Sequence, residues 1–204
     1  MSKKTAVRKT SLRAGIFNRM GDFLTMDRLI IGGSILGSLA IVGVIALNSW
    51  ANRPIDIEGV ERLPSIGGVH QESVSYQQIP PAGGPHAPVW QNCGVYLEPI
   101  RDEAGVHSLE HGAIWMTYRP DLPDTEVEQL RRITWQSDSR LLSPYPDLPS
   151  PIVVSAWGYQ LLLERADDER LAQFIRQYER GTTAPEPTGF CNGGEGQPFT
   201  QFSG

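Results

Sequence analysis

Residues 102–118 read Asp-Glu-Ala-Gly-Val-His-Ser-Leu-Glu-His-Gly-Ala-Ile-Trp-Met-Thr-Tyr, and within them the chain changes its local preference. Asp102 and Glu103 suit the positive end of a helix dipole, and residues 102–111 predict a short helix that Gly112 stops. Ala113–Tyr118 is apolar and rich in β-formers, which predicts a strand directly behind that helix. A short helix running into a buried strand excludes an all-helical bundle and points to helices packed on a sheet.

The pattern continues toward the C-terminus. Pro123 suits a helix start, Thr125 with Glu128 fits a capping box, and Val127, Leu130 and Ile133 supply an apolar stripe to about Gln136. Arg140–Pro144 reads as a short strand, and Ile152–Trp157 as a buried one that Gly158 turns into Tyr159–Arg165. Asp167 and Asp168 open a last helix carrying Leu171, Phe174, Ile175 and Tyr178, ending at Gly181. From Thr182 the chain is polar and rich in Gly and Pro, and reads as a loosely ordered tail apart from Cys191. Upstream, Ser73–Gln78 suggests a strand, and residues 79–88 (IPPAGGPHAP) are too rich in proline for helix or central strand. The expected fold is α+β over residues 69–204: a small mixed sheet with two main helices on one face.

Composition divides what precedes that domain. Residues 1–28 hold seven basic and two acidic side chains, residues 29–50 (LIIGGSILGSLAIVGVIALNSW) hold no charge, and residues 51–204 hold 11 Arg, no Lys and 21 acids. As a helix, the uncharged run is about 33 Å long, enough to span a hydrocarbon core of about 30 Å. It exceeds the apolar core of a cleaved secretory signal, so an uncleaved anchor is the expectation. Trp50 stands at the far interface, and the charge bias places residues 1–28 in the cytoplasm and the outer part outside the inner membrane. Residues 51–68, with Pro54, Pro64 and a Gly-Gly pair, read as a tether. Gly33 and Gly37 form a GxxxG element on the anchor, a face to which another transmembrane helix of a membrane complex can pack closely.

Several function classes drop out. Two cysteines in 204 residues exclude a cysteine-rich zinc module, and no CxxCH or CxxC occurs for haem attachment or a redox pair. No GxSxG elbow, phosphate loop or dinucleotide fingerprint is present. The formal charge of −5 offers no basic stripe for nucleic acid.

All four histidines lie in the outer part: His70, His86, His107 and His111. Helical residues four apart share a face, so His107 and His111 can offer two imidazoles to one copper or zinc ion. His86, in a loop stiffened by Pro85 and Pro88, is the expected third ligand, with Met116 as a further candidate. The run His107-x-x-Glu110-His111 also matches an inverted zinc-peptidase motif, in which Glu110 would serve as general base. The segment is too short and too close to a strand to favour that reading, so a non-enzymatic metal-binding role leads. Cys93 and Cys191 are expected to pair as a disulfide in an oxidising compartment, with thiolate ligation as the alternative.

Gly84-Pro85-His86, Trp90-x-x-Cys93-Gly94, His107-Ser108-Leu109-Glu110-His111-Gly112, Leu141–Pro146 (LLSPYP) and Ser155-Ala156-Trp157-Gly158 occur in one chain in this order. That set resembles the bacterial membrane-anchored domain-of-unknown-function family 3105, over about residues 65–195. The resemblance implies an anchored outer domain and brings no established activity, cofactor or substrate. An accessory subunit of a membrane protein complex is therefore the alternative to metal binding, and a zinc hydrolase the third reading.

Overall fold

The computed structural model describes residues 12–51, 54–64 and 67–200. Of the basic segment 1–28, residues 1–11 lie outside the described residues, as do residues 201–204 at the end of the tail. The chain divides into two compact units, one ending at Pro54 and the other starting at Ile55. The first is a helix, α1 (Leu12–Ala51). Within it Ile30–Trp50 is long and apolar enough to cross a membrane. Ser34 and Ser38 return their hydroxyls to the carbonyls of Ile30 and Ser34, both at 2.8 Å. A side chain added at Gly33 or Gly37 would meet nothing within 4 Å, so that face of the helix is open.

The second unit is built on a six-stranded mixed sheet. Its strands are β1 (Val60–Arg62), β2 (Gly94–Val95), β3 (Ile114–Tyr118), β4 (Arg140–Pro144), β5 (Ile152–Ala156) and β6 (Tyr159–Leu163). They lie in the order β1-β6-β5-β3-β4-β2. β3 pairs parallel with β4 and antiparallel with β5, with Trp115 opposite Leu141 on one side and Ser155 on the other. β5 and β6 form a hairpin across Trp157-Gly158, as the sequence predicts. Every residue of β3 and β5 is buried because both faces of the sheet are covered.

Two helices cover one face, α3 (Asp124–Thr134) and α4 (Glu169–Tyr178). Val127 and Leu130 of α3, and Leu171, Phe174, Ile175 and Tyr178 of α4, meet Ile114, Met116, Leu142, Val154 and Leu161 in one core. The α4 stripe recurs at three- and four-residue steps, which fixes which side of the helix faces the sheet. Its start is capped as expected: the Asp168 carboxylate accepts from the Arg170 N–H at 2.9 Å. The capping box predicted for α3 does not form. That helix begins behind Pro123 with no side-chain cap, and Glu128 pairs with Arg131 at 3.5 Å instead. The opposite face of the sheet carries a third, shorter helix, α2 (Asp102–Glu110), and a second core of Val106, Leu109, Trp115, Leu141 and Trp157.

Three segments differ from the sequence expectation. The predicted tether contributes to the domain: β1 extends β6 antiparallel, and Ile57 is buried in the α3/α4 core. A three-residue edge strand with one apolar side chain carries too little pattern to be seen in sequence. Ser73–Gln78 is not a strand, because its polar groups bond to side chains and loops. The Val74 N–H donates to Glu103 Oε1 at 3.1 Å and the Tyr76 hydroxyl to the Pro85 carbonyl at 2.5 Å.

The tail is not loose up to Thr200. Cys93 N–H donates to the Cys191 carbonyl, Glu195 N–H to Trp90, and Phe199 N–H to Val95, all within 2.9 Å. Asn92 also holds it from the side, through Gly194 and Gly196.

Cys93 and Cys191 stand at disulfide-bonding distance, their Cα atoms 5.2 Å apart across 98 positions of sequence. That pairing corrects the thiolate-ligand alternative, since bonded sulfurs do not coordinate as thiolates. Closing a loop of this length stabilises by up to about 4–5 kcal/mol in the chain-entropy model. Thiol counting on the denatured, unreduced protein is expected to find no free thiol. The Cys93→Ser/Cys191→Ser variant is expected to melt at lower temperature, by several degrees or more.

Candidate metal centre

α2 carries the centre, and its height above the sheet is set by a missing side chain. A Cβ at Gly105 would lie 2.9 Å from the Trp115 ring, so only glycine lets the helix sit this low on β3. Trp115 is in turn held by its indole N–H, which donates to Ser143 Oγ at 3.0 Å. With Val106 and Leu109 turned into the core beneath, His107, Glu110 and His111 are left on the side that meets the loops. The proline-rich loop runs along that side. Ala87 N–H donates to the Glu103 carbonyl, Gln91 N–H to Ala104, and Ser108 Oγ to the Gln91 carbonyl.

These contacts bring three imidazoles around one carboxylate oxygen. Glu110 Oε2 lies 3.1 Å from His86 Nε2, 3.9 Å from His107 Nε2 and 4.0 Å from His70 Nε2. The ligand atoms of His70, His86, His107 and Glu110 all fall within 4.8 Å of one another. His86 and His107 are buried, at 0% and 4% exposure, while the His70 side chain is 56% exposed. His70 reaches the site through its own backbone segment, which pairs with His86 as a parallel bridge.

The tautomers follow from the backbone. His86 Nδ1 faces the Gly84 carbonyl at 2.8 Å, and His107 Nδ1 faces the Ala87 carbonyl at 2.7 Å. A carbonyl oxygen only accepts, so each Nδ1 carries a proton, and Nε2 is the atom each ring turns toward Glu110. Carbonyl-anchored imidazoles with the other nitrogen directed inward are the usual second shell of metal-binding histidines. His107 is held neutral here. Burial pushes its pKa down to about 4, with the neighbouring His111, His86 and His70 pushing the same way and the Ala87 hydrogen bond opposing.

His111 does not join that group. α2 ends at Glu110, and His111 sits at the C-cap with ψ 5°. Its ring centroid is still only 4.7 Å from that of His107. Its Nδ1 faces the Phe190 carbonyl at 2.7 Å, and its Nε2 lies 3.7 Å from Glu186 Oε2. Glu110, His111 and Glu186 form a second group of ligand atoms within 4.8 Å. Met116 belongs to neither. It is buried in the α3/α4 core, because strand alternation turns it away from Trp115 and the face that α2 covers.

The model of one protein family, described as "Protein of unknown function (DUF3105)", matches residues 69–193. The chain belongs to that family. No curated protein and no solved structure matches the chain. The family span starts just before His70 and ends just after Cys191, so it holds both ligand groups and the cysteine pair, and leaves out α1 and β1.

Within the family span, His86, His107 and His111, which the sequence offers as ligands, and Glu110, which it offers as a base, lie in these two groups, together with two residues that the sequence does not single out. His70 was one of only four histidines, but it stands in a Gly-rich run with no period to place it. Glu186 lies in the polar tail, and its one signal was proximity in sequence to Cys191. Glu110, the base of the zinc-peptidase motif, has its Oε2 among the three imidazoles, within reach of the same ion as they are.

For His107 the folded pKa lies below the ordinary 6.5. The unfolded chain therefore takes up the proton first as pH falls. The metal-free protein is expected to be fully stabilised by this group above about pH 6.5, losing that contribution toward pH 4. The His107→Gln variant is expected to lose part of that slope in denaturant titrations run at several pH values.

Proposed function

We propose that the outer domain binds a divalent transition-metal ion, zinc or copper(II), through His70, His86, His107 and Glu110. The observation that carries this reading is the convergence of three imidazole Nε2 atoms on Glu110 Oε2, at 3.1 to 4.0 Å. His86 Nε2 and Glu110 Oε2 stand 3.1 Å apart, a contact that needs a proton or a cation between the two atoms. Three nitrogens and one carboxylate oxygen suit a tetrahedral zinc site, where ligand atoms stand about 3.3 Å apart, so binding draws the set inward. With Met116 on the other face of the sheet, the ligand groups among the described residues hold no sulfur to favour copper(I).

The role that fits this set is holding or passing the ion, with no turnover required. Four protein ligands fill a tetrahedral shell, and His70, the exposed one, offers the way in and out. In this reading Ile30–Trp50 anchors the domain outside the inner membrane, with the basic segment in the cytoplasm. The open Gly33/Gly37 face is where a transmembrane helix of a partner complex would pack.

The test is metal analysis by mass spectrometry of the full-length protein in mild detergent, with the affinity tag removed, after stripping and reloading with zinc. At least one tightly held ion per chain is expected. His70→Ala changes an exposed side chain and should weaken zinc binding about tenfold or more, in line with the loss of a ligand. Absence of bound metal, or retention unaffected by both His70→Ala and His86→Ala, would overturn the proposal.

A further inference from the structure

We infer that the centre is binuclear: a second divalent ion lies between His111 and Glu186, and Glu110 is the carboxylate that both ions share. The inference rests on the metal-binding reading above and adds a site to it. Glu110 is the one residue common to both ligand groups, each of which gathers its donor atoms within 4.8 Å. The two groups are adjacent, since the His107 and His111 rings are 4.7 Å apart between centroids. Paired metal ions in proteins stand about 3.5–4 Å apart, a spacing that a bridging carboxylate spans.

The second group is as deliberately oriented as the first. His111 is 7% exposed. Its Nδ1–H is fixed by the Phe190 carbonyl at 2.7 Å, which leaves Nε2 as the ring atom directed at Glu186. Gly189 packs against the ring, where a Cβ would stand 2.5 Å from its Cγ, so the tail approaches the imidazole more closely than a larger residue would allow. The Glu186 N–H donates to the Glu110 carbonyl at 3.0 Å, which places the Glu186 side chain beside Glu110 by backbone geometry alone.

A plain ion pair accounts for these residues less well. The 3.7 Å separation of His111 Nε2 and Glu186 Oε2 is beyond hydrogen-bond distance, and the Glu186 side chain is 64% exposed. One imidazole nitrogen and two carboxylates converge there instead as a nitrogen-and-oxygen set of the kind that divalent zinc takes. With three protein ligands, one of them exposed, the second ion keeps a coordination position open to solvent.

The experiment uses the full-length protein in detergent, stripped and titrated with Zn(II) and, separately, with Co(II). Two zinc ions per chain are expected. Glu186→Gln, at an exposed position that should not affect folding, is expected to reduce the count from two to one, as is His111→Ala. The second equivalent of Co(II) is expected to weaken the paramagnetic resonance signal of the first through the shared Glu110 carboxylate. One ion per chain that neither Glu186→Gln nor His111→Ala disturbs would overturn the binuclear inference and leave the single site standing. Two ions unaffected by Glu186→Gln, or two magnetically independent cobalt signals, would also overturn it. No bound ion at all would overturn both readings.

Discussion

The close approach of α2 to β3 through Gly105 is the contact on which the rest of the site depends. With the Trp115 ring where a Cβ would stand, the helix is lowered until Val106 and Leu109 reach the second core. That fixes the rotation of a helix only nine residues long, and such a helix has little stability of its own. His107 and Glu110, on its other side, then face loops instead of solvent. Any larger residue at 105 would lift the helix and separate His107 from Ala87, the carbonyl that sets its tautomer.

Burying so many polar rings would be unfavourable if they were unpaired. The chain meets this with backbone rather than with other side chains. Gly84, Ala87 and Phe190 each turn a carbonyl toward one Nδ1, and all three come from segments without regular structure. Those segments need prolines and glycines for a physical reason. A carbonyl outside a helix or a sheet ladder has both lone pairs available and can be aimed at a histidine. The irregular stretches 79–91 and 182–196 are therefore the part of the fold that sets the lone-pair directions, while the sheet supplies only the platform.

Much of the platform was legible in the sequence. The switch at Gly112 from helix to strand, the α4 stripe and the β5–β6 hairpin all have enough length to show a period. β1 and β2 do not: three residues and two residues cannot display alternation, and they are defined by the strands they pair with. The site was legible in part for the same kind of reason. His107 and His111 show the helical spacing, but the sequence could not reveal that the helix stops between them. The two rings stay 4.7 Å apart but face different carbonyls, Ala87 and Phe190, and fall into separate groups that have the intervening carboxylate in common. His70 and Glu186 arrive from loops, one by pairing with His86 and the other by bonding to the Glu110 carbonyl, and no local pattern encodes either contact. Met116 was the opposite case: strand alternation against Trp115 was enough to place it on the wrong face.

The two groups of ligand atoms differ in which part of the chain orients them. His86 and His107 take their carbonyls from residues 84 and 87, inside one short loop that also lies along α2. His111 takes its carbonyl from Phe190 and its neighbour from Glu186, across some 75 positions of sequence. Holding so distant a segment to hydrogen-bond accuracy requires a constraint close to it. Cys191, the residue after Phe190, supplies one by its pairing with Cys93, and the Asn92 and Trp90 contacts hold the next turn of the tail. The first ligand group is thus a product of local folding on α2, and the second a product of long-range closure. The covalent link lies one residue from the carbonyl that has to stay in place.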